Sequence, residues 1–144
     1  MMLYVTDALI IFRHKNSQKP QHQPYPHIGP NYGAKVQYAE AADVSPPLSI
    51  SDKKNIQELT GTFMYYAQAV NPNTMTALGS ISELQANPTE HTIQKVKQLL
   101  DYVATHPDVI LTYHASDLVL SGHSNASYLS ETEPISRAGG NFFM

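Results

Sequence analysis

The sequence predicts an α+β chain in four parts: an N-terminal helix, a long irregular linker, a three-helix segment, and an incomplete antiparallel β-sheet. Three observations predict it. Between residues 51 and 106 apolar side chains recur every three or four positions, the spacing of one helix face. After Asp108 the period drops to two, the spacing of a strand. Before both lies a stretch punctuated by Pro20, Pro24, Pro26 and Pro30, which removes backbone donors and blocks helix formation. The boundaries fall at residues 1–15, 16–50, 51–108 and 109–144.

Leu3 to Phe12 read as a short helix, apolar on most sides. Leu3, Asp7 and Ile10 share one face, and Val5, Leu9 and Phe12 another. It is too short to be stable alone in water, so it needs cover from elsewhere. In residues 16–50 only Lys35 to Ala39 suggests a brief strand, and Glu40 to Ile50 has no period and contains Pro46-Pro47. Some thirty-five residues without an element are uncommon inside a compact domain.

Ser51 is the expected N-cap of the next helix, with Ile56, Leu59, Phe63, Tyr66 and Val70 as its stripe. Gly61 inside it costs about 1 kcal/mol against Ala, so either a neighbour packs close there or the helix is weak. Asn71-Pro72 restarts the chain as a cap with Pro at the first helical position. Met75, Leu78, Ile81 and Leu84 or Gln85 give the second stripe. Asn87, with Glu90 three residues on, forms a capping-box pattern for the third helix. Its stripe is Ile93, Val96, Leu99 or Leu100, and Val103, and His106-Pro107 ends it. Three strands are expected beyond: Val109 to His114, Leu118 to Ser124, and Arg137 to Phe143. Ala115-Ser116-Asp117 would be a hairpin turn, and Gly139-Gly140 a weak or bulged spot.

Composition narrows the function. The chain has 144 residues, 42% hydrophobic, enough for one small domain or pieces of two. Charged residues make up 15%, below the usual ~25%. That leaves more uncharged surface than most proteins show, as in a piece cut from something larger. A net charge of −3 argues against a chain that grips nucleic acid alone, because phosphate neutralisation supplies most of that affinity. Cysteine is absent, so disulfides and thiolate metal sites are excluded. No apolar run approaches a membrane span, and the N-terminus lacks signal-peptide order, so an intracellular protein is expected, cytoplasmic or nuclear.

Few residues offer chemistry. Tyr4-Val5-Thr6-Asp7 carries one carboxylate where two-metal chemistry needs adjacent ones. His14, His22 and His27 lie in the Pro-rich stretch, and His114 and His123 flank a strand. None has zinc-site spacing, so they read as polar loop and strand-end residues. Neither a phosphate loop nor a nucleophile elbow is present. Tyr65 and Tyr66, beside Phe63, fit core packing better than base stacking. Arg13, His14, Lys15 and Lys19 could touch phosphate, or could be a solvated helix end favoured by the helix dipole. The run HSNASYLSE, His123 to Glu131, closes a strand with Asn125. A carboxylate there could bridge metal ions; a neutral amide cannot offset their charge, and the plainer reading is a strand-end turn residue.

Taken together, IQELTGTFMYYAQAVNP, ALGSISELQANPTE, QLLDYVATHPDVILTYHASDLVL, HSNASYLSE and SRAGGNFFM resemble the C-terminal Pol region of copia-like retrotransposons. Gly61, Tyr65 or Tyr66, Pro72, Tyr102, Ser124, Ala126, Arg137, Gly139 and Phe142 fit that family's frame over residues 51 to 144. The resemblance implies that residues 1–15 are the tail of a reverse transcriptase region, 16–50 a Pro-rich linker, 51–108 a helical connection, and 109–144 the first strands of a truncated ribonuclease H-like domain. It places the family's first metal-binding Asp at Asn125. The parent family is an RNA-directed DNA polymerase with ribonuclease H activity that uses magnesium. With Asn125 neutral and the family's other acidic residues lying outside these 144, the resemblance implies a chain that is no enzyme and needs no cofactor. Its expected partners are the RNA–DNA hybrid of the parent polyprotein, the remainder of the Pol chain, no membrane, and a second copy through an exposed sheet edge. Arg13, Lys15 and Lys19 are the candidate nucleic-acid contacts.

Overall fold

The computed structural model describes residues 2–15, 19–26, 43–112, 114–127 and 137–144. They form an α+β chain whose elements run α1 (Met2–Ile11), α2 (Ile50–Ala69), a 3-10 turn (Pro72–Thr74), α3 (Met75–Leu84), α4 (Glu90–Thr105), β1 (Ser121–Ser127) and β2 (Arg137–Phe143). Two compact units emerge, one of residues 1–27 and 44–111, the other of residues 28–43 and 112–144. The brief strand expected over Lys35 to Ala39 lies outside the described residues, as does His27.

The first unit is built around α2 and α4. Ile56, Leu59, Phe63, Tyr66 and Ala67 of α2 meet Ala77, Leu78 and Ile81 of α3 and Val96, Leu99, Leu100, Tyr102 and Val103 of α4 in one buried cluster. α1 adds Val5 and Ala8 to the same core, with Tyr4, Leu9 and Phe12 packed on it. Leu3 and Ile10 stay exposed, so only the Val5 face of α1 finds the cover that its all-round apolar character demands. Edge-to-face packing of Phe63 on Tyr66, with centroids 6.3 Å apart, fills the centre.

Helix ends depart from the sequence reading in instructive ways. Ser49, not Ser51, caps α2. Its backbone is extended and its hydroxyl accepts the Asp52 N–H at 3.2 Å, whereas Ser51 already lies inside the first turn. Thr89, not Asn87, caps α4, in a reciprocal box with Thr92 rather than with Glu90. Pairing of the chain before α2 with the chain before α4 sets both starts. Leu48 N–H donates to Pro88 O at 3.0 Å and Glu90 N–H to Pro46 O at 3.2 Å. Part of the Pro-rich linker is thus a short ladder rather than a loose connection. Pro72 does open the 3-10 turn, but Asn71 makes no side-chain cap and is fully buried.

Met75 and Ile93, assigned to buried stripes, face solvent, and so does Tyr65, expected to pack in the core. Ala77 and Thr92 take the inward positions in α3 and α4. Among the described residues, a Cβ added at Gly61 would meet nothing within 4 Å. Close approach therefore does not explain it.

The second unit holds a two-stranded antiparallel sheet. Ser121 faces Phe143 and Ser127 faces Arg137 in an unbroken register, so Gly139-Gly140 produces no bulge. The expected strand over Val109 to His114 is absent at its described residues, and β1 begins at Ser121 rather than Leu118. The physical reason is local. Leu118 has a left-handed backbone, φ 62°, which no strand can carry. Its N–H donates to the Ser116 hydroxyl at 3.3 Å, but residues 115–117 form neither a turn nor a bend and join no paired strands. Ile110, Leu118, Val119 and Leu120 are consequently exposed. Across the ladder the Phe142 ring lies against Gly122: a Cβ on Gly122 would come within 3.2 Å of it. The aromatic ring covers the bare backbone of a glycine-containing strand.

Candidate functional site

The candidates lie in two places: the segment that leaves α1, in the first unit, and Asn125, in the second. The chain exits α1 through a double hydrogen bond. Arg13 N–H donates to Ile10 O at 3.0 Å and His14 N–H to Leu9 O at 2.9 Å, with Arg13 itself left-handed at φ 51°. This is a Schellman closure with arginine where glycine is usual. Reversing the chain there sends neighbouring residues opposite ways. Arg13 and Lys15 are exposed, and so is Lys19 further on. His14 turns inward, where its Nε2 donates to Asp101 Oδ1 of α4 at 2.9 Å, both side chains nearly buried. The loop histidine expected from sequence is therefore a packed, paired one.

Arg13 also borders an open cleft of about 390 Å³ between α1, α2 and α4. Ile56, Leu59, Val96 and Leu100 line it, together with the exposed polar residues Asp52 and Asn55. Arg13 and Asp52 carry opposite charges, so the cleft does not present the uniform positive field that a phosphate backbone seeks.

Beyond Lys19 the chain runs along α4. Gln21 N–H donates to Thr105 Oγ1 at 3.0 Å, and Gln98 Nε2 donates to Gln23 O at 3.2 Å. Between these anchors His22 Nδ1 stands 3.2 Å from His106 Nε2. Sequence reading did not pair these residues, because 84 positions separate the two histidines and 87 separate His14 from Asp101. Nothing local signals either contact.

A polar flaw sits inside the core. The Tyr66 hydroxyl and both polar atoms of the Asn71 side chain are buried without a hydrogen-bond partner among the described residues. Burial pushes the Tyr66 phenol above its ordinary value. The nearby Asn71 amide, short of hydrogen-bond geometry, acts to lower it, and Tyr102 and Asp108 add to the rise.

Asn125 lies mid-strand in β1, exposed and opposite Gly139, not at a strand-end turn. Ser124 faces Gly140 and Ala126 faces Ala138. The donor set there does not fit magnesium, which takes carboxylate oxygens: one neutral amide faces a glycine backbone. No described group of three or more His, Asp or Glu residues could hold a metal ion. His123 lies within β1 opposite Asn141, rather than flanking the strand. Among the described residues no helix is long and apolar enough to cross a membrane. Compared with family models, curated proteins and solved structures, the chain finds no match in any of the three.

Proposed function

We propose that this chain is the segment of a copia-like Pol polyprotein that joins reverse transcriptase to ribonuclease H, and that it has no catalytic activity of its own. One observation carries the reading. The two C-terminal motifs that resemble the family, Ser124-Asn125-Ala126 and Arg137-Ala138-Gly139-Gly140, pair with each other across one antiparallel ladder. That is the arrangement the resemblance expects of the first strands of a ribonuclease H-like sheet. Inactivity follows from Asn125: hydrolysis by two metal ions needs negative charge at that position, and an amide supplies none. On this reading the partners are an RNA–DNA hybrid held by the parent polyprotein, the rest of the Pol chain, and a second copy added at the sheet edge. The compartment would be cytoplasmic or nuclear.

Sequencing the genomic DNA and transcript on both sides of this reading frame tests the assignment. Reverse transcriptase coding sequence upstream and ribonuclease H sequence downstream are expected. Unrelated flanks around a cleanly transcribed frame would retire it. A second reading, a non-catalytic module that binds a hybrid or a protein partner, draws on the exposed Arg13 and Lys15. Affinity for an RNA–DNA hybrid that falls steeply with salt would favour it, and no binding at low salt would remove the nucleic-acid form of it.

A further inference from the structure

We propose that His22 and His106 form a surface site for a borderline-soft divalent ion of the zinc, copper or nickel class. The inference does not rest on the retroelement reading. Two imidazole nitrogens from distant parts of the chain converge to 3.2 Å, His22 Nδ1 on His106 Nε2. Two nitrogens bound at ordinary zinc distances in a tetrahedron stand roughly 3.3 Å apart, so the pair already has the bite of a chelate.

Both ligands are held before any ion arrives. The backbone on either side of His22 is fixed to α4, through Gln21 N–H to Thr105 Oγ1 and Gln98 Nε2 to Gln23 O. His106 is the C-cap of α4: its N–H donates to Tyr102 O at 3.0 Å, and its ring packs on the Tyr102 ring with centroids 5.0 Å apart. Fixed ligands spare the ordering cost of binding. His22 is exposed, so water can fill the remaining positions. Imidazole donors select zinc, copper and nickel over magnesium or calcium, which want oxygen. The bound ion clips residues 19–26 onto the last turn of α4.

The test is titration of the full chain with zinc by calorimetry, and with copper(II) by visible absorption. His22→Gln, His106→Gln and the double variant are compared with His91→Gln and His114→Gln as controls. Far-ultraviolet circular dichroism confirms that each remains helical. Either site variant is expected to weaken the tightest site at least tenfold, the double variant no further, and the controls less than twofold. Zinc should also slow proteolysis within residues 19–26 in the parent chain and not in His22→Gln. The proposal is overturned if both site variants bind as tightly as the parent. It is equally overturned if the parent binds neither ion, which would leave the contact as a hydrogen bond between two neutral imidazoles.

Discussion

His14 Nε2 donates to Asp101 Oδ1 at 2.9 Å, tying the exit of α1 to the middle of α4 across 87 residues of sequence. Both side chains are nearly buried, so each is costly to leave alone. Asp101→Ala should lower the unfolding free energy by about 1–3 kcal/mol, the usual cost of a buried polar group stripped of its partner. His14→Ala in the same background should cost less than it does alone, with a coupling of about 1 kcal/mol in urea denaturation. Strictly additive losses would mean that the contact contributes nothing.

One residue earlier the backbone is strained. Arg13 sits at φ 51°, where a side chain costs about 1 kcal/mol or more and glycine costs nothing. Glycine also gives the unfolded chain extra freedom, worth roughly 0.5–1 kcal/mol in the opposite direction. Arg13→Gly should therefore be neutral or stabilising by up to about 1 kcal/mol, read from the denaturation midpoint at unchanged m-value. A clear loss would show that the guanidinium or its stem contributes more than the strain removes.

Gly61 in the middle of α2 is exposed, and its Cβ direction is empty. Gly61→Ala should add about 0.5–1 kcal/mol, the helix-propensity difference. If the substitution destabilises the chain, the glycine serves a contact that forms only with a partner, and binding assays on the same variant become the next step.

How far the sequence could be read follows from the range of each determinant. Helix stripes are local, and Ile56, Leu59, Phe63 and Tyr66 all turn inward as their spacing dictates. Caps are less local. Ser49 and Thr89 win because residues 46–48 pair with residues 88–90, an encounter that no window of sequence contains. The alternating apolar run at Leu118 to Leu120 has strand periodicity, yet the left-handed backbone at Leu118 interrupts it. Arg137 to Phe143 is a strand as its pattern suggests, although its partner is Ser121–Ser127 rather than a run centred on the apolar residues. At the candidate sites, Arg13 and Lys15 are exposed just beyond the end of α1 and Lys19 further on, and none of the three lies in the last turn of that helix. The contacts of His14, turned inward, and of His22, exposed beside His106, became visible only once α4 was in place.

Tyr66 gives an alkaline signature. Burial first of all raises its phenol above the ordinary 10.0, and Tyr4 is raised for the same leading reason. A phenol is neutral when protonated, so the folded state holds that proton more tightly than the unfolded chain. The resulting stability is complete below the unfolded value and is lost as pH climbs through the folded one. Melting temperature should therefore fall above about pH 10, and fall less in Tyr66→Phe. At neutral pH Tyr66→Phe should be neutral or slightly stabilising, since the hydroxyl it deletes is buried without a partner. A large loss at neutral pH would mean that a water or the Asn71 amide satisfies that oxygen in solution.

Hydrogen exchange should separate the two units. Amides of α2 and α4 around Leu59, Phe63, Leu99 and Val103 are sealed by a shared core and should open only with global unfolding. Among the described residues the sheet has two strands, its described side chains are mostly exposed, and Gly122 is covered by the Phe142 ring. Two-stranded sheets are marginal in water, so amides of β1 and β2 should exchange orders of magnitude faster than those of α2. Phe142→Ala should speed the hairpin further and leave α2 and α4 unchanged. Equal protection of hairpin and helices in the parent chain would show that further contacts, from this chain or a second copy, stabilise the sheet. Repeating the measurement at tenfold lower protein concentration then distinguishes those two sources, because only a partner copy is lost on dilution.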